Sequence, residues 1–143
     1  MSLSIEWRHD GRRIVLPVTL LRPTPATDFS GFDGIALLDT GSTTSGITPR
    51  VVRNLDLRRR GKRPLGSAQG EGQAERYLFR VGLRPDADEL SPPRFPYIFD
   101  DIVGFELVDS FQFDALLGMD ILRQCDFSMD RDASCRLTFG TRA

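Results

Sequence analysis

The chain has 143 residues, 40 % of them hydrophobic, with 19 Lys and Arg against 20 Asp and Glu and a formal charge of −1. That size suits a single domain, residues 1–143, around one core, and the near-neutral balance excludes a global basic field for nucleic acid or an anionic membrane. Cys125 and Cys135 allow at most one bridge and read as free thiols of a cytoplasmic protein, no apolar run is long enough to span a bilayer, and the charged, alternating N-terminus does not read as a signal peptide.

Leu3, Ile5 and Trp7 alternate with polar residues, as do Ile14, Leu16, Val18 and Leu20 after Asp10-Gly11. This pattern predicts two strands joined by a tight hairpin, with Pro17 at an edge or a bulge. A proline-rich loop precedes a strand over 32–38. Thr48-Pro49 predicts the start of a short helix that buries Val51, Val52 and Leu55 and ends near Leu57. Residues 58–63 form a solvated basic turn. Gly66 to Gln73 is a glycine-rich hairpin tip, followed by a strand in which Tyr77, Phe79, Val81 and Leu83 alternate. Residues 84–94 read as a surface loop, Phe95, Tyr97 and Phe99 as the start of a strand, and 102–108 as its continuation or the next one. The order strand, tight turn, helix over 36–55 returns at 115–122, which reads as a weak internal repeat. Phe127, Met129, Leu137 and Phe139 mark two closing strands joined at 130–132. Mostly short strands with two short helices predict an all-β, barrel-like domain.

The chemistry concentrates in Ala36-Leu37-Leu38-Asp39-Thr40-Gly41-Ser42. An apolar strand running straight into a carboxylate demands compensating partners, since an unpaired buried charge costs several kcal/mol. Thr40 and Ser42 offer hydroxyls, and Gly41 admits a close backbone or ligand. A bare Asp-Thr-Gly arises by chance in roughly a few per cent of chains this long. In the second copy of the repeat, Leu116-Leu117-Gly118, glycine stands where the first copy has its acid. Asp120 reads as a helix cap, and Asp33 and Asp114 as surface or turn residues. His9, beside a turn, has no nucleophile suggested to it, and no spaced His/Cys cluster suggests zinc.

Ala-Leu-Leu-Asp-Thr-Gly-Ser resembles the catalytic signature of aspartic proteases, and one copy in a chain this short resembles the retroviral-type, retropepsin-like branch. The resemblance implies a closed retropepsin-like β-barrel with two short helices and a flap hairpin. It implies Asp39 as the catalytic acid, supported by Thr40, Gly41 and Ser42, with Ser42 assisting the outer carboxylate oxygens. Gly70, Glu71 and Gly72 fall in the region matching the flap, and Leu116, Leu117 and Gly118 match the second hydrophobic-glycine signature. No cofactor or metal is implied. Peptide hydrolysis on this plan needs two carboxylates sharing a proton, so one Asp-Thr-Gly per chain implies a homodimer acting on an extended peptide. The alternative is a catalytically silent dimerisation or peptide-binding domain of the same fold. It draws on a departure from the pattern: Thr43 and Met119 stand where many viral enzymes carry an Asp–Arg ion pair.

Overall fold

The computed structural model describes residues 2–67, 70–84, 95 and 97–140. Its elements in chain order are β1 (Ser2–Arg8), β2 (Val15–Leu21), β3 (Gly31–Leu38), β4 (Gly46–Ile47), α1 (Pro49–Leu55), β5 (Lys62–Ser67), β6 (Gly70–Leu83), β7 (Ile98–Glu106), β8 (Ala115–Leu117), α2 (Met119–Leu122), β9 (Asp126–Met129) and β10 (Ser134–Gly140). Six of the strands, in the order β2-β3-β8-β4-β7-β6, close on themselves because β2 also pairs with β6. β5 lies outside this ring on β6, and β1-β10-β9 form a separate three-stranded sheet. The all-β closed barrel with two short helices expected from the sequence is the observed fold.

Alternation explains the core. Leu16, Val18 and Leu20 of β2 and Phe79, Val81 and Leu83 of β6 turn one face inward, where Phe99 and Ile102 of β7 meet them. Helix α1 adds Val51 and Leu55, and α2 adds Ile121 and Leu122. Helix α1 opens with Thr48 as N-cap and Pro49 in its first turn and closes on Asp56 in the left-handed conformation, two residues short of the expected end.

Two sequence expectations give way. β1 and β2 do not form a hairpin: β1 pairs along its whole length with β10, while β2 pairs with β3 and β6. The Asp10-Gly11 turn is real, with Gly11 at φ +86°, but it passes the chain from one sheet to another. Alternation and a turn dipeptide specify local shape and leave the partner strand open. Likewise β6 starts at Gly70 rather than near Tyr77, because its first half pairs with β5 and its second with β7. Pro17 faces Ile35 on β3 just ahead of Val18, where the β6 ladder begins, so its missing N–H is not needed there. The expected 84–94 loop lies outside the described residues beyond Arg84. Phe95 and Tyr97 precede β7, which runs unbroken through Glu106. A bulge interrupts the β6–β7 register between Phe79 and Val81, and Asp101 beside it has φ +56°.

Arg80, opposite that bulge, is the one buried charge in the barrel wall among the described residues, at 2 % exposure. Its hydrogen bonds go to the carbonyls of Arg22 (2.6 Å), Asp28 (2.6 Å), Ala26 (3.2 Å) and Pro25 (3.2 Å), with the Asp28 carboxylate near enough to feel its charge. One planar fork thereby satisfies a whole loop. Arg80→Ala leaves those carbonyls without their donor and is expected to lower unfolding stability by about 3 kcal/mol in a urea titration.

Candidate functional site

The two copies of the repeat lie side by side. β3 and β8 pair in parallel with Ala36 opposite Ala115, Leu37 opposite Leu116 and Leu38 opposite Leu117. Asp39 and Gly118 are therefore the next residues in register, and the Asp39 N–H donates to the Leu117 carbonyl at 3.0 Å. The apolar pairs are buried or half-buried, so the strands end together and release both loops at one point.

Within the first loop, the Gly41 N–H donates to Asp39 Oδ1 at 2.9 Å and the Ser42 N–H to the Asp39 carbonyl at 3.2 Å. This tight turn fixes the carboxylate at the loop tip. The Ser42 hydroxyl donates to the Thr44 carbonyl at 2.7 Å, and the Gly41 N–H is the group that reaches the Asp39 carboxylate in this chain. Thr40 is exposed at the tip.

The second loop is strapped to the first. Met119 N–H donates to the Ser42 carbonyl (2.8 Å) and Asp120 N–H to the Thr43 carbonyl (3.1 Å). Asp120 receives the Ser45 hydroxyl at 2.6 Å and the Ser45 N–H at 3.0 Å, and Ser45 Oγ in turn receives the Gly118 N–H at 3.0 Å. Asp120 is thus not the cap of α2; Gly118 is the N-cap residue, and the Asp120 carboxylate bridges the two copies of the repeat while also accepting its neighbour Ile121 N–H. This bridge joins the same two loops that the absent pair at Thr43 and Met119 would have joined. Gly118 has no alternative, since a Cβ there would sit 2.7 Å from the Ser42 carbonyl oxygen.

Asp114 is no surface residue either. Its carboxylate accepts the Ile35 N–H (2.9 Å) and Arg50 Nε (2.8 Å), and its carbonyl accepts the Thr48 N–H (3.1 Å), tying β3 to the start of α1. Asp33 faces Thr19 across the β2–β3 ladder and accepts its hydroxyl at 2.8 Å. The proposed flap segment is a long β5–β6 hairpin with Ser67 opposite Gly70 and Leu65 opposite Gly72; residues 68–69 lie outside the described residues.

A cavity of ≈ 480 Å³ opens beside Asp39, its apolar lining made by Leu37 and Leu38 together with Ile14 and Met129. Its rim carries His9, Arg12 and Arg13. The sequence offered no signal for this: His9 read only as a residue beside a hairpin turn and Arg12 and Arg13 carried no reading, and the pairing of β1 with β10 brings them to the Asp39 loop. Among the described residues no group of three or more His, Cys, Asp or Glu could hold a metal ion, and no helix is long and apolar enough to cross a membrane. Both cysteines are free. Burial, reinforced by the Asp126 charge, pushes the Cys125 thiol up to about 11, and burial also raises Cys135.

No protein-family model and no curated protein sequence matches the chain. Solved structures do. The chain is similar to a retropepsin-like aspartic protease from Rickettsia conorii, with a TM-score of 0.66 and 14 % identity over 99 % of this chain and 95 % of that one. It also matches the EIAV protease complexed with the inhibitor HBY-793, with a TM-score of 0.47 and 21 % identity over 78 % of this chain and 86 % of that one.

The strap between the loops makes a prediction about stability. Asp120→Ala removes the acceptor of the Ser45 hydroxyl and N–H and is expected to cost about 2–3 kcal/mol, whereas Asp120→Asn retains one acceptor oxygen and loses less. Thermal unfolding of the two variants checks both the size and the order.

Proposed function

We propose that this chain, which has the retropepsin-like fold, is an aspartic endopeptidase whose site is completed by a second copy. The observation that carries the reading is the register of the repeat. Asp39 stands at the tip of a rigid loop with Gly118 as its counterpart in the same chain, so the chain supplies one carboxylate where the chemistry needs two. A twofold axis through the loop tips would set the Asp39 of the partner opposite this one. The charged member of the pair would take a proton from a water between them, and the protonated member would polarise the scissile carbonyl. Each Thr40 hydroxyl, exposed at the tip, would bond to the partner's loop. The Gly41 carbonyl would face the substrate backbone. The β5–β6 hairpin carrying Gly70, Glu71 and Gly72 would fold over an extended peptide bound as an added strand.

The outer sheet supports a second copy at this place. β9 is an edge strand. Asp130 N–H donates to the Ser134 carbonyl at 2.8 Å, so the alternation of an antiparallel ladder turns the backbone groups of Phe127 and Met129 away from β10. The same two side chains lie opposite Leu137 and Cys135, which are buried, yet are themselves 37 % and 54 % exposed. The ring centres of Trp7 and Phe127 lie 6.4 Å apart, and the buried Trp7 Nε1 has no partner among the described residues. An inward-facing apolar surface therefore continues one strand past its cover. Met129 also borders the cavity beside Asp39, so whatever covers β9 comes close to the carboxylate.

Two experiments test this. Cleavage of a denatured protein pool is expected from the native chain, with a bell-shaped pH profile, and is expected to vanish in Asp39→Asn; an identical peptide pattern from both sinks the hydrolase reading. Sedimentation equilibrium should show a dimer that Phe127→Glu or Met129→Lys weakens by tenfold or more in dissociation constant, with activity falling in parallel, at about 1.4 kcal/mol per tenfold.

A further inference from the structure

The turn that joins β1 to β2 is built with more care than a connection requires. Asp10 Oδ1 accepts the N–H groups of Arg12 (2.8 Å) and Arg13 (2.7 Å), and Gly11 takes the positive φ. These backbone bonds, Arg13 first, hold the Asp10 carboxyl below the usual carboxylate range. His9 Nδ1 accepts the Gly11 N–H at 2.9 Å, so a neutral His9 ring carries its proton on Nε2. The turn is fixed from both ends, and its side chains stand at the rim of the Asp39 cavity.

The charge at this rim is balanced only in part, by the Asp10 carboxylate, which attracts the Arg13 guanidinium. Arg13 Nη1 donates to Gln112 Oε1 at 2.9 Å, and its guanidinium lies 5.8 Å from the centre of the Phe113 ring. Both partners are uncharged; they orient the arginine without cancelling it. Neither Arg12 nor Arg13 forms an ion pair among the described residues. Asp39 is the one carboxylate in the lining, whose apolar members are Ile14, Leu37, Leu38 and Met129. An open, partly apolar hollow with two guanidinium-bearing residues in its lining, one of them held by Gln112 and Phe113, suits a side chain with a short methylene stem and a carboxylate head.

We propose that this cavity is a subsite for an acidic side chain, and that Arg12 and Arg13 select peptides carrying Glu or Asp close to the bond that is cut. The proposal rests on the endopeptidase reading above and names its substrate class. A neutral isostere such as Gln would fit the same hollow and leave the guanidinium groups without a charged partner from the substrate, so discrimination comes from charge more than from shape.

The test uses the full-length chain. Cleavage products of a denatured protein pool are sequenced by mass spectrometry, and kcat/KM is measured for peptide pairs differing only by Glu or Gln at each position within two residues of the cut. The expected results are enrichment of Glu and Asp at one such position and a Glu-to-Gln ratio of about tenfold. That ratio should fall toward unity in Arg12→Ala/Arg13→Ala, with each single variant intermediate and circular dichroism confirming the fold. Arg12→Glu should move the preference toward Lys. Cleavage without acidic enrichment, or variants that slow both members of every pair alike, overturns the subsite and leaves the endopeptidase standing. Absence of cleavage overturns the endopeptidase. The subsite is then decided by fluorescence anisotropy of the same peptides on Asp39→Asn, where equal affinity for Glu and Gln peptides overturns it.

Discussion

Three residue pairs hold this molecule's chemistry in place: Ala36 with Ala115, Leu37 with Leu116 and Leu38 with Leu117, in one parallel ladder. Parallel neighbours need no hairpin between them, and here almost eighty residues of chain separate the two strands. The Ala36–Ala115 and Leu38–Leu117 pairs turn into the core while Leu37 and Leu116 lie half-buried on the other face, and the C-terminal ends release two loops at one level. A slip of one residue would reverse which faces the strands bury and separate the loop tips. The position of Asp39 is thus a consequence of core packing, and the hydrogen bonds around it refine a placement that the apolar residues make.

The strap between the loops is polar and nearly complete. Ser45 donates its hydroxyl to Asp120 and accepts from Gly118, while the Ser42 and Thr43 carbonyls receive the N–H groups of residues 119 and 120. Such a network is favourable only when every member finds a partner. It shows how the loops can be held together with Thr43 and Met119 at positions where an ion pair was the expected device. The strap works within one chain, so rigidity of the Asp39 loop does not wait on a partner even if the reaction does.

Asymmetry between the two ends of the barrel follows from the same economy of polar groups. At the loop between β2 and β3, Arg80 serves four carbonyls and lets irregular backbone pack against the wall. At the opposite end of β3, the backbone of the Asp39 loop is satisfied by its own turn and by the second repeat. The Asp39 carboxylate carries one bond from Gly41 and faces an open cavity.

Much of this was legible in the residues. Alternation located nearly every strand, Thr48-Pro49 located α1, and Asp-Thr-Gly with its echo at Leu116-Leu117-Gly118 located the two loops, because all of these are short-range patterns that the backbone obeys locally. Pairing was not legible. Asp10-Gly11 looked like a hairpin and is a crossing between sheets, so His9 read as a residue beside a turn, and nothing pointed to Arg12 and Arg13, which line the cavity beside Asp39. Asp120 looked like a cap, and Asp114 like a surface acid, because the partners that give them meaning, Ser45 in one case and Ile35 with Arg50 in the other, lie 64 to 79 residues away in sequence. Sequence by itself determined which residues form strands and loops and where the Asp-Thr-Gly loop falls. Only tertiary structure decided who faces whom, because a strand's pattern states which side is apolar and is silent about which neighbour will cover it.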